Sequence, residues 1–141
     1  MKQIRTSVFE TNSSMTHCCV LTTEDNMKAW AEDKKLFCED TEEFLDAESA
    51  FQENIKILEE KVKSDYCTFT QEKLDQYKRK ELPLADLFPK YKYEMKELFL
   101  TSEEWDMVLE DGNYEFWEAR KELPTNPPTT VVAFGYLGAD Y

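Results

Sequence analysis

The chain predicts an α+β domain: a small, mainly antiparallel sheet from the N- and C-terminal segments, with three or four helices packed on it. Three observations carry that expectation. Runs of β-branched and apolar residues lie near both ends of the 141 residues, at 3–9, 16–22 and 129–136. Between them, apolar residues recur at spacings of three and four, the period of a half-buried helix. Hydrophobic residues make up 41% and aromatic residues 13% of the chain, enough for one buried core and a single domain over 1–141 despite a charged fraction of 33%.

The elements follow in order. The strand-like runs 3–9 and 16–22 flank Glu10-Thr11-Asn12-Ser13-Ser14-Met15. Asn and Ser side chains bond to nearby backbone and favour turns, so the two runs predict a hairpin-like pair. Thr22-Thr23-Glu24-Asp25 starts a short helix to about Lys34, with acids at the positive end of its dipole. Lys35–Cys38 reads as a short strand. Asp40 followed by Glu43 resembles a capping box and opens a helix to about Lys63. Its inner stripe is Phe44, Ala47, Phe51, Ile55, Leu58 and Val62. Tyr66–Phe69 is extended, and Thr70 caps a helix over 71–80 with Leu74 and Tyr77 inward. Pro83 and Pro89 interrupt the next region. Thr101-Ser102-Glu103-Glu104 is a capping box ahead of Trp105, Val108 and Leu109, and Gly112-Asn113 ends that helix. Tyr114–Trp117 alternates as a strand does, although residues 118–122 also allow a helix. After Pro124, Pro127 and Pro128, the run 129–136 predicts a buried strand that pairs with the N-terminal strands.

The net charge is −13 and unevenly placed. Residues 24–60 carry thirteen acids against four bases, and residues 97–118 carry eight acids and no base. Residues 61–96 between them carry nine bases against six acids. Such a balance repels nucleic acid and favours basic partners, so no direct nucleic-acid binding is expected. Lys78-Arg79-Lys80 and Lys90-Tyr91-Lys92-Tyr93 interleave bases with aromatics, but pairing with the acidic helices accounts for them better than single-strand stacking. Met1-Lys2-Gln3 is followed by no apolar run, and no segment has the length of a membrane span, so the expected setting is cytoplasmic with no membrane. The four cysteines, Cys18, Cys19, Cys38 and Cys67, show no C-x-x-C spacing and stand with a single histidine. They are expected to be reduced, buried thiols, with no metal and no cofactor.

Two groups of residues are candidates for function. In the first, Arg5, Asn12, Ser13, Ser14 and His17 crowd polar chemistry into thirteen positions. They allow anion binding, with Ser14 as nucleophile and His17 as base in a small enzyme. The group has no recognisable orienting acid and no oxyanion loop, and a turn bonded by its own Asn and Ser side chains explains it more simply. Arg5 with Ser13-Ser14 also imitates part of an ADP-ribosyl-transfer site, but no Glu-x-Glu spacing follows at 103–104 or 115–118. In the second, Glu39, Asp40, Glu42, Glu43, Asp46 and Glu48 form one acidic array, and Glu103, Glu104, Asp106, Glu110 and Asp111 form another. Helical spacing sets carboxylates about 5–6 Å apart on one face, which imitates a nucleic-acid phosphate array.

The run Val8-Phe9-Glu10-Thr11-Asn12-Ser13-Ser14-Met15-Thr16-His17 resembles the N-terminal signature of small proteins of Gram-positive bacteria and their phages, in which V-F-E-T-N-S-S-S-T-H is typical. Met15 stands here at the place of the third serine. The resemblance covers about a tenth of the chain and implies a phage or mobile-element setting in a bacterial host cell, with no catalytic residues to carry over. The sequence therefore favours a phage-encoded acidic inhibitor, of anti-CRISPR or other anti-defence type. It would bind a basic nucleic-acid-binding surface of a host complex through the two acidic arrays. The alternative is a small enzyme or ligand-binding protein built on the N-terminal cluster.

Overall fold

The computed structural model describes the backbone of residues 5–6 and 15–139 and the side chains of residues 19–138. The uncharged run Met15–Thr23 forms β2, and the β-branched run Thr129–Ala139 forms β6. They pair antiparallel along their length, from Met15 opposite Ala139 to Thr23 opposite Val131, as their hydrophobic character requires. β5, Glu115–Leu123, pairs antiparallel with the other side of β6. β1, Arg5–Thr6, lies parallel to β5, with Arg5 opposite Trp117. The strand order is β1-β5-β6-β2.

This order corrects the hairpin expected of residues 3–9 and 16–22. The two N-terminal strands occupy opposite edges of the sheet, and the two C-terminal strands separate them. The long β6 is the better partner for β2, because it pairs with all nine of its residues, whereas β1 is only two residues long.

Residues 24–31 form α1, capped by Thr23, whose side chain accepts from Asn26 N–H. β3 (Lys35–Cys38) and β4 (Glu43–Asp46) make a separate two-stranded sheet. A long helix follows as α2, Ala47–Lys61. It begins several residues later than the Asp40 cap suggested, because Glu42 adopts a left-handed turn (φ 55°) and Phe44 is drawn into a strand beside Phe37. Asp46, not Asp40, caps α2 by accepting from Ser49 N–H at 2.8 Å. α3 (Gln71–Lys78) is capped by Thr70 as expected. Residues 66–69 form no strand, and two 3₁₀ turns at Leu84–Leu87 and Lys92–Glu97 lead to α4, Ser102–Asp111. The Thr101–Glu104 capping box is closed in both directions.

Three of the helices end alike. After α1, α3 and α4 the chain turns through a left-handed residue, Asp33, Lys80 and Asn113, with φ near 60°. The two backbone bonds of a Schellman motif close each end, as in Asp33 N–H to Trp30 C=O and Lys34 N–H to Ala29 C=O. None of the three positions is glycine. Glycine is needed instead where the two edges of the Tyr114 ring meet the backbone: a Cβ at Gly138 would stand 2.1 Å from one edge and one at Gly112 2.5 Å from the other.

One face of the large sheet, with Val20, Phe116, Val132, Phe134 and Tyr136, joins the helices in the main core. Its centre is aromatic. Trp30 is fully buried among Phe37, Phe44, Trp105 and Phe134, with ring centroids 5.3–5.9 Å away. Its indole N–H donates to Leu100 C=O at 3.0 Å. The same carbonyl accepts from Phe37 N–H, so α1 and β3 are tied to the segment ahead of α4. Trp117, Ala133 and Leu137 form a second, smaller cluster on the opposite face.

Candidate functional site

The N-terminal cluster divides between described and undescribed positions. Asn12, Ser13 and Ser14 lie outside the described residues. Arg5 sits on β1 opposite Trp117, and His17 sits on β2 opposite Leu137. Three strand spacings of about 4.8 Å separate those edges, so the two backbones stand about 14 Å apart. The described backbone therefore does not make Arg5 and His17 neighbours, as a single hairpin would have done.

The first acidic array is not one helical face. Glu39, Asp40 and Glu42 are in the β3–β4 turn, Glu43 opens β4, and only Glu48 lies within α2. Several of these acids have partners within the fold. Asp46 is held below the usual carboxylate range, first by the Ser49 backbone N–H and then by its hydroxyl. Glu39 pairs with Lys96 at 3.4 Å, and Glu48 with Lys80 at 3.5 Å. In the second array, Glu104 completes the capping box. Burial raises its carboxyl above the ordinary glutamate value against the bonds from Thr101, and the nearby charges of Asp33 and Glu103 add to the rise. Asp111 accepts from Tyr93 N–H at 3.2 Å. Asp106 is half-buried, and Glu103 and Glu110 are exposed.

The basic stretch is largely engaged within the molecule. Lys78 pairs with Glu59 at 3.5 Å, and Arg79 with Glu81 at 3.1 Å. Lys92 Nζ donates to the carbonyls of Ala85 and Phe88, which ties the two 3₁₀ turns together.

Where the β3–β4 turn, the end of α2 and the second 3₁₀ turn meet, a polar cavity of about 450 Å³ opens. Asp40, Glu94, Tyr66 and Tyr93 are in its wall, together with Lys61 and Lys96. The two lysines are neutralised locally: Lys61 forms an ion pair with Glu97, and Lys96 pairs with Glu39 and donates to Tyr136 Oη at 3.3 Å. Burial works against the charge of Lys96, but Glu39 and Tyr136 outweigh it and hold its pKa above the usual lysine value. Glu94 accepts from the Thr68 hydroxyl. Neither Asp40 nor Glu94 forms an ion pair among the described residues, so the cavity keeps two uncompensated negative charges. Tyr66 is 92% exposed and Tyr93 50%. Such a wall suits a cationic side chain, through carboxylates for its charge and phenol rings for its flat or apolar parts.

The sequence shows Tyr93 only within a base–aromatic run and Tyr66 only at the start of an extended segment, and it marks neither as a cavity residue. The signal was faint: Tyr66 follows Ser64-Asp65 in a turn, where a large aromatic has no core to enter. Among the described residues no group of His, Cys, Asp and Glu is arranged to hold a metal. Cys38 is buried and Cys67 half-buried, but Cys19 is exposed, against the expectation of buried thiols. Among the described residues no helix is long and apolar enough to cross a membrane.

No protein-family profile, curated protein or solved structure matches this chain.

Proposed function

We propose that this chain is a phage-encoded acidic inhibitor of anti-CRISPR or other anti-defence type. It binds a basic, nucleic-acid-binding surface of a host complex, without binding nucleic acid itself. The observation that carries the proposal is the exposed tip of the β3–β4 hairpin. Asp40, Glu42 and Glu43 are all exposed there, and Asp40 continues into the cavity with Tyr66, Tyr93 and Glu94. Acids at the tip steer a basic partner and speed its encounter. The cavity then receives one arginine or lysine side chain, and the exposed tyrosines are the residue type that dominates interface energies. This contact surface is narrower than the two arrays expected from sequence, because Asp46 and Glu104 cap helices and Glu39, Glu48 and Asp111 have partners within the fold.

The test is a mobility-shift assay of a purified CRISPR effector with its nucleic acid. The chain should displace the nucleic acid, and Asp40→Lys with Glu42→Lys and Glu43→Lys should abolish displacement while Tm stays within a few degrees. Tyr66→Ala alone should weaken it roughly tenfold or more, the ordinary size of an interface hot spot. Displacement that survives the triple reversal refutes this surface. Failure to displace nucleic acid from any of a panel of effectors and restriction complexes refutes the inhibitor reading.

A further inference from the structure

We propose that the outer edge of β2 is a self-association surface, on which a second copy of this chain adds its own β2 antiparallel to form one eight-stranded sheet. The strand order leaves β2 at an edge, hydrogen-bonded to β6 on one side only among the described residues. Nine residues make that edge about 30 Å long. The register with β6 runs from 15 opposite 139 to 23 opposite 131 without a skipped residue, so no bulge twists the edge away.

Edges of this length are normally blunted by lysine, proline, a bulge or shortness. β2 has none of these. Met15–Thr23 carries no charged side chain at neutral pH, in a chain that is one-third charged. Its outward face is open, with Cys19 and Thr23 exposed and Leu21 71% exposed. Leu21 borders a largely apolar hollow of about 460 Å³ with Ala119, Leu123, Val131 and Ala133, which Lys121 and Arg120 also line, the latter paired with Glu24 and Glu118.

Charge selects the occupant. The charge of Glu42 reaches Cys19 from beside the edge, but β2 itself carries no acid to hold a basic partner. A second copy brings a net charge of −13 and is repelled least along an uncharged segment. Antiparallel pairing of two β2 strands is self-complementary, because every uncharged position meets another uncharged position. The register that uses all nine residues sets 15 against 23, 17 against 21 and Cys19 against Cys19 on the two-fold axis. The axis is perpendicular to the sheet, so both apolar hollows lie on the same face of the dimer, away from the helices.

Sedimentation of the full chain tests this. Because the remaining surfaces repel, the dimer fraction should rise between about 0.05 M and about 1 M NaCl as charges are screened. A short bismaleimide should join two chains through Cys19. Cys19→Ser should remove that product, and Cys67→Ser should leave it. Cys19→Lys places two ammonium groups face to face and should weaken the dimer by about fivefold at the lower salt. Leu21→Lys serves the same purpose should the first variant fail to fold, since its side chain is already exposed. A chain that stays monomeric at both salts, a cross-link that survives Cys19→Ser, or a dimer unaffected by both lysine variants overturns the proposal.

Discussion

Asn54 is the buried polar residue on which α2 is anchored, and its removal gives the sharpest test of the fold. It lies on the inner face of α2 and is 1% exposed. Its Oδ1 accepts from Phe99 N–H at 2.7 Å, and its Nδ2 donates to Phe99 C=O at 2.8 Å. Nδ2 also lies 3.4 Å from Tyr77 Oη. The side chain thus satisfies both backbone groups of a buried residue that belongs to no helix or strand. Asn54→Ala orphans both groups at about 1–3 kcal/mol each. With partial relaxation and a small cavity, the expected loss is about 3–5 kcal/mol. For a chain of 141 residues the unfolding entropy is about 0.3 kcal/mol per degree, so Tm should fall by roughly 10–17 °C. Urea unfolding followed by tryptophan fluorescence measures this directly, since Trp30, Trp105 and Trp117 are all buried. A loss below about 1 kcal/mol with an unchanged m-value would refute the reasoning, because the Phe99 backbone would then not depend on Asn54.

Burial raises the Tyr77 hydroxyl to about 12, partly offset by Asn54 and reinforced by Glu104. Because the folded value is raised, Tyr77 contributes its full stability below about pH 10 and loses it as pH climbs toward 12. Phenolate absorbance should show a late-titrating component that Tyr77→Phe removes; the same late component in Tyr77→Phe would contradict this. Glu104 is likewise raised, so its ionisation opposes folding above its folded pKa. Glu104→Gln keeps the Thr101 bond without the charge and should raise Tm at neutral pH, with the gain shrinking below the ordinary glutamate range; a lower Tm at pH 7 would show that the cap needs the charge. Asp33 has φ 62° at a Schellman turn and faces Glu104. Asp33→Gly should stabilise the chain by about 1 kcal/mol in thermal unfolding, and no gain would mean that the turn is unstrained.

Much of the architecture was legible because its signals are local. Thr70 and the Thr101–Glu104 box cap the helices that they predicted, and the 129–136 run became the strand that pairs with an N-terminal strand. The failures are non-local. Asp40 and Glu43 have the spacing of a cap, but Phe44 gains more by joining the Trp30–Phe37–Phe134 cluster than by starting a helix. Nothing near residues 5–6 announces that their partner lies beyond residue 114. Asn54 sits in the apolar stripe of α2 at four-residue spacing from Ala50 and Leu58, and a polar residue there was the one sign of a tertiary hydrogen bond. The acidic positions could be counted from sequence, but not sorted. Whether a carboxylate caps a helix, as Asp46 does, or faces solvent, as Glu42 does, depends on turns that its neighbours do not specify.

The sheet takes β2 from one end of the chain and β5 and β6 from the other, and this orders the protein's birth on the ribosome. At roughly 5–20 residues per second, residues 24–128 take about 5–20 s to make. Throughout that interval β2 has been synthesised and β6 has not. The capped helices between them can form in passing, but the aromatic core lacks Phe134 until the last strand arrives. Folding of the sheet therefore waits until β6 has left the ribosome. The uncharged β2 segment must stay solvated or chaperoned until then, and a chain cut before residue 129 leaves it without the strand that covers it.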